Sequence, residues 1–152
     1  MIKRYFCFVL ALTLLLAGNI LPAHASGSEE TVTYFADGSY LVTTLTEIPS
    51  RASGQKTASK SDRYYDADGS LDWLITVTGT FTYNGTTSQC TYVDGTTSIV
   101  ATNIYSLYSE SPERSGGTAT YTVVFSKHVL GIPFSKETYS VSLTCDKDGN
   151  LS

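Results

Sequence analysis

The stretch Leu71-Asp72-Trp73-Leu74-Ile75-Thr76-Val77-Thr78-Gly79-Thr80-Phe81-Thr82-Tyr83 decides the fold. Leu71, Trp73, Ile75, Val77, Phe81 and Tyr83 recur at every second position with Gly79 among them. Asp72, Thr76, Thr78, Thr80 and Thr82 fill the alternate positions, and only Leu74 breaks the pattern. A period of two is the side-chain period of a strand. One apolar face opposite a threonine face describes a strand that covers a core and meets water behind it. Gly79, in the middle of so long a strand, predicts a bulge or a close approach by another backbone.

The same alternation recurs downstream. In 138–146, Tyr139, Val141, Leu143 and Cys145 face one way, and in 118–125 Ala119, Tyr121, Val123 and Phe125 do so. Further strands are expected over 31–35, 40–48, 55–65, 88–93, 98–108 and 129–134, and no segment sustains helical periodicity. Asp37-Gly38, Asp68-Gly69, Asn84-Gly85, Asp94-Gly95 and Asp148-Gly149 are dipeptides that tolerate positive φ, so they read as turns between strands. Two near-repeats, Tyr34 to Ser39 against Tyr65 to Ser70 and Asn84 to Ser88 against Asp94 to Ser98, are read as repeated turn solutions, because their flanks diverge. Eight or nine short strands at this spacing predict an all-β fold, an antiparallel β-sandwich. Immunoglobulin-like architecture fits the strand number, but a true immunoglobulin domain runs Cys, Trp, Cys, and here Trp73 precedes both downstream cysteines.

Residues 1–25 read as a signal peptide. Lys3 and Arg4 form the charged start, the apolar run from Tyr5 to Leu16 is too short to span a bilayer, and Ala23-His24-Ala25 is the small-x-small cleavage signature. Asn19 stands where a lipoprotein would need cysteine. Residues 26–152 are then a single secreted, extracellular β domain, and with no sortase-type signal, free release is expected. Of ten Lys and Arg against fourteen Asp and Glu, the signal removes two cations, leaving eight against fourteen and a net charge of −6. Such acidity repels phosphate backbones and anionic lipid, so the expected partners exclude nucleic acid and, after signal cleavage, membrane. The one basic cluster, Arg51, Lys56, Lys60 and Arg63, is read as a solvated strand or linker.

Cleavage also discards Cys7 and leaves Cys90 and Cys145 bound for an oxidising space, where a disulfide is the natural inference. Closing a loop of about 55 residues would stabilise the domain by roughly 4 kcal/mol.

Chemistry is sparse. His128 is the single mature histidine, no Gly-x-Ser-x-Gly elbow accompanies it, and no catalytic residue is assigned. Asp66-Ala67-Asp68-Gly69 and Asp146-Lys147-Asp148-Gly149-Asn150 resemble calcium-loop cores but lack the terminal bidentate Glu, and one His with two Cys makes no zinc set. No metal and no cofactor is expected. Glu110 and Glu113 are read as lying in a Ser/Pro/Gly loop. The remaining signal is tyrosine. Tyr64, Tyr65, Tyr105 and Tyr108 cannot all face inward, and tyrosines exposed on a rigid sheet stack on sugars or anchor a protein partner.

Asp37 to Thr43, Thr78 to Gly85 and the terminus Leu143 to Ser152 resemble small secreted β-rich proteins of Gram-positive bacteria that carry no assigned activity. The resemblance implies a shared fold and transfers no site residue. The sequence thus predicts a secreted, non-enzymatic β-sandwich that binds an extracellular protein or a glycan. The alternatives are a small hydrolase using Asp66, Asp68 and Asp72, and a surface protein that self-associates through strand edges.

Overall fold

The computed structural model describes residues 28–50 and 52–152; the expected signal peptide and Arg51 lie outside the described residues. Eight strands and no helix are found there: β1 (Ser28–Tyr34), β2 (Tyr40–Ile48), β3 (Gln55–Tyr65), β4 (Leu71–Tyr83), β5 (Ser88–Ile99), β6 (Tyr105–Ser115), β7 (Thr118–Val129) and β8 (Ile132–Thr144). They form two antiparallel sheets, β1-β2-β3-β4-β5 and β6-β7-β8, which pack as a β-sandwich. Each sheet is a plain meander in chain order, unlike the Greek-key connections of the immunoglobulin sandwich.

The alternation seen in the sequence builds the core. Trp73, Ile75, Val77 and Phe81 of β4 meet Ala119, Tyr121, Val123 and Phe125 of β7 and Val141 and Leu143 of β8, all buried. The threonine faces turn outward and knit the strands through their hydroxyls. Thr57–Thr80, Ser59–Thr78 and Ser61–Thr76 pair at 2.8–3.1 Å on the larger sheet. Thr118–Thr144, Thr120–Ser142 and Thr122–Ser140 pair at 2.9–3.2 Å on the smaller. Directly opposed hydroxyls of this kind are a recurrent unit of sheet stabilisation.

Three turns share one hydrogen-bond solution. Phe35, Asp66 and Asp146 each donate their N–H to the carbonyl four residues on, while Gly38, Gly69 and Gly149, with φ of +81° to +88°, donate back to them. This is a hairpin turn closed by a left-handed glycine, and it explains the near-repeat at Tyr34 and Tyr65.

Several expectations are corrected. Asp94-Gly95 is no turn: Asp94 pairs with Thr78 and Gly95 with Val77 inside β5. The glycine is there for space, since a Cβ on it would fall 2.2 Å from the Tyr121 ring of the facing sheet. The strand expected over 98–108 is split, because Val100 and Ala101 donate to the Asp72 carbonyl, which ends β5 and carries the chain to the other sheet. The strand expected over 129–134 is interrupted: Leu130 and Gly131 form a turn, Val129 ends β7, and Ile132, Pro133 and Phe134 begin β8. Glu110 and Glu113 lie in β6, where Pro112 is tolerated because an edge strand leaves one row of N–H groups unused. Asp72, expected on the solvent face, is buried. The register shifts between Tyr64 and Tyr65, and Asp72 is the extra residue on β4.

The disulfide is also corrected: Cys90 and Cys145 are free, buried thiols. Cys90 donates its N–H to Gly116 and Cys145 to Gly117, so the two segments meet at the β6–β7 turn through backbone rather than through sulfur. The Cys90 thiol points to the Tyr92 carbonyl at 3.1 Å. Burial pushes both thiols above their usual pKa.

Candidate functional site

Most of the aromatic side chains gather at one end of the sandwich, and the strands sort them onto different surfaces. Tyr64 faces inward and stacks on Trp73 at 5.3 Å between centroids, with Phe35 tilted against it at 6.2 Å. Trp73 in turn meets Phe125 and Tyr139. Tyr105 is 3% exposed and belongs to the core, so the expected set loses it as an accessible group. Tyr108, 59% exposed, sits at a bulge of β6 under the Lys136 ammonium, 3.3 Å from the ring centre, and that cation holds its phenol below the usual pKa.

Tyr65 occupies the opposite, outer face of the larger sheet. The register places it beside Tyr40, and Tyr40 beside Tyr34, so three adjacent strands contribute one tyrosine each to a single row. The Tyr40 and Tyr65 rings are stacked at 4.8 Å and 8°, while Tyr34 lies 5.6 Å from Tyr40 at 41°. Because β1 is an edge strand, none of the described residues continues the row beyond Tyr34, which is 74% exposed. The sequence reading found Tyr65 and missed Tyr34 and Tyr40. The signal was available in the near-repeat, since Tyr34 and Tyr65 each stand one residue before a matching turn. Beside this row, on the same face, the Arg63 guanidinium donates to Thr44, and the Ser/Thr pairs of β3 and β4 continue down the sheet.

The basic cluster does not act as one patch. Lys56 and Lys60 lie on the inner side of β3 and Arg63 on the outer, because their spacing mixes even and odd positions. Lys56 pairs with Glu47 at 3.2 Å. On the same inner face, burial raises the Asp62 carboxyl above its usual pKa, against a hydrogen bond donated by Thr43 at 2.6 Å.

Two further carboxylates are bonded within their own turns. Asp66 accepts the N–H groups of Asp68 and Ser70, and Asp146 those of Asp148 and Asn150, so the two calcium-like segments fold their first aspartates onto their own turns. Among the described residues no group of three or more metal-ligating side chains is found. Burial, with Asp66 nearby, raises the Asp72 carboxyl. Glu110 accepts the Tyr121 hydroxyl, whose pKa rises through burial and this bond.

At the same end the base of the β7–β8 hairpin is tied down. Lys127 bonds Glu137 at 3.2 Å, Tyr139 donates to Glu137 at 2.9 Å, and His128 N–H donates to Ile104 at 2.7 Å. Burial disfavours the Lys127 ammonium, but Glu137 more than offsets this and raises its pKa.

No protein-family model, curated protein or solved structure matches this chain.

Proposed function

We propose that this protein is a secreted, non-enzymatic binding module that takes an extended glycan along the outer face of its five-stranded sheet. The observation that carries the reading is the row Tyr34–Tyr40–Tyr65, open at Tyr34. A sugar ring presents an apolar C–H face that stacks on an aromatic ring, and a rigid sheet holds such a ring at little entropic cost. Tyr40 and Tyr65 back Tyr34, and the Arg63 guanidinium with the neighbouring hydroxyls supplies polar contacts for the sugar's own hydroxyls. The resemblance to secreted Gram-positive proteins agrees with a ligand met outside the cell.

Affinity electrophoresis of the secreted chain in gels containing soluble cell-wall or plant polysaccharides tests this. Retardation by at least one polysaccharide, lost in Tyr34→Ala and Tyr65→Ala, is the expected result. Retardation unchanged in both variants removes the tyrosine row from the reading.

A hydrolase reading draws on the buried, raised carboxyl of Asp72 beside Asp66. Polysaccharide cleavage by the wild-type chain that disappears in Asp72→Asn would favour it over binding alone.

A further inference from the structure

The tip of the β7–β8 hairpin departs from the other turns among the described residues. Val129-Leu130-Gly131-Ile132-Pro133-Phe134 is six consecutive residues without one polar side chain. Val129 pairs with Ile132, leaving Leu130 and Gly131 as a two-residue turn with φ of +52° and +78°. Positive φ at both positions defines the tight hairpin turn that favours Asn-Gly, and Leu130 is the single non-glycine residue with positive φ among the described residues. The chain therefore accepts backbone strain in order to hold a leucine outward, 97% exposed. Ile132 and Phe134 are 69% and 77% exposed.

We infer that this hairpin tip is a membrane-insertion element that seats in the interfacial layer of a lipid bilayer. Three observations choose lipid over a protein partner. The tip is exposed all round rather than on one face, so an occupant must surround it, as acyl chains do and a flat protein face does not. Its area is that of one two-residue turn and its flanks, well under the roughly 800 Å² per partner of a standard protein interface. Directly behind it, at the His128–Pro133 pair, stand His128 and the aromatic Phe134, side chains suited to the headgroup layer. Glu137, the nearest acidic residue along the hairpin, is bonded to Lys127. Asp37 and Asp72 lie near Lys127, one residue behind His128, so anionic headgroups gain no advantage there. The net acidity of the chain governs its long-range field, whereas the tip acts by contact. The base is held by the Lys127–Glu137 pair and the His128 to Ile104 hydrogen bond, so the apolar end is presented rigidly.

Flotation of the secreted chain with vesicles of phosphatidylcholine, alone or mixed with phosphatidylglycerol, tests the inference. The wild-type chain is expected to float with the neutral vesicles and no more strongly with the mixed ones. Leu130→Glu is expected to lower the bound fraction at least about tenfold, since a charge in the apolar layer is strongly disfavoured. The variant replaces an exposed side chain, and an unchanged melting temperature shows that it is folded. Equal flotation on both vesicle types supports insertion by apolar contact alone. A wild-type chain that stays with the buffer, or a variant that floats as well as wild type, overturns the inference. So does a concentration-dependent dimer abolished by Leu130→Glu, which would place a second copy on the tip. Polysaccharide retardation of Leu130→Glu should match wild type, so the lipid and glycan readings fail independently.

Discussion

Replacing Leu130 by asparagine should stabilise the fold while removing an apolar contact surface. Leu130 sits at φ +52°, and a left-handed conformation costs an ordinary L-residue roughly 1–2 kcal/mol through the approach of Cβ to the following carbonyl. Asparagine adopts that region far more readily. The leucine side chain is 97% exposed, so its removal forfeits almost no packing. The expected gain is about 1 kcal/mol. For a domain of about 125 residues the unfolding entropy near the midpoint is roughly 0.26 kcal/mol/K, so the melting temperature should rise by about 4 °C. Circular dichroism or calorimetric melts of the secreted chain measure this directly. Leu130→Ala is the control: it trims the side chain but keeps a Cβ at positive φ, so it should leave the melting temperature within about a degree of wild type. A Leu130→Asn variant that melts at or below the wild-type temperature would refute the argument. Equal gains from asparagine and alanine would show that the effect comes from the side chain and not from the turn.

Gly95→Ala should destabilise the fold by about 1–3 kcal/mol in urea titration, because the new methyl would meet the Tyr121 ring at 2.2 Å; a cost below about half a kcal/mol would mean that the two sheets separate freely at that point. Cys90 and Cys145 should resist alkylation in the native protein and react together in denaturant, since burial both shields them and raises their pKa; an intact mass two hydrogens lighter than the reduced chain would restore the bridge. Asp62 and Asp72 carry raised carboxyl pKa values in the fold, so the native state binds protons more tightly than the unfolded chain. Their contribution is favourable at low pH and declines as pH climbs from the unfolded value near 3.8 through the folded one. Asp62→Asn should flatten that decline and raise stability at neutral pH, and a variant with an unaltered stability profile would contradict the assignment. Its Thr43 hydrogen bond limits the gain.

The bounds of β2, β3 and β4 were legible to the residue, because each strand is bounded by turn chemistry. Reading failed where a residue type had two uses. Asp94-Gly95 has the composition of a turn, yet Gly95 is selected by the bulk of Tyr121 on another sheet, which no neighbouring residue announces. Pro112 reads as a loop signal, but an edge strand has an unused row of N–H groups and accepts it. Asp72 follows the polar alternation and is turned inward by a bulge that depends on the β3 partner. The tyrosine row of the candidate site was half legible: Tyr65 stood out beside Tyr64, but its stacking on Tyr40 and the opening at Tyr34 follow from the registers of two strand pairs.

By itself the sequence determined the class of fold: side-chain period and turn residues act within a few positions of the chain, and both are written in local order. The tertiary structure alone decided which edge is open, which tyrosines share a face, that the two cysteines stay unpaired, and that the apolar run 129–134 folds back as the exposed tip of a hairpin. Those outcomes depend on register and sheet order, where a shift of one residue exchanges inside for outside.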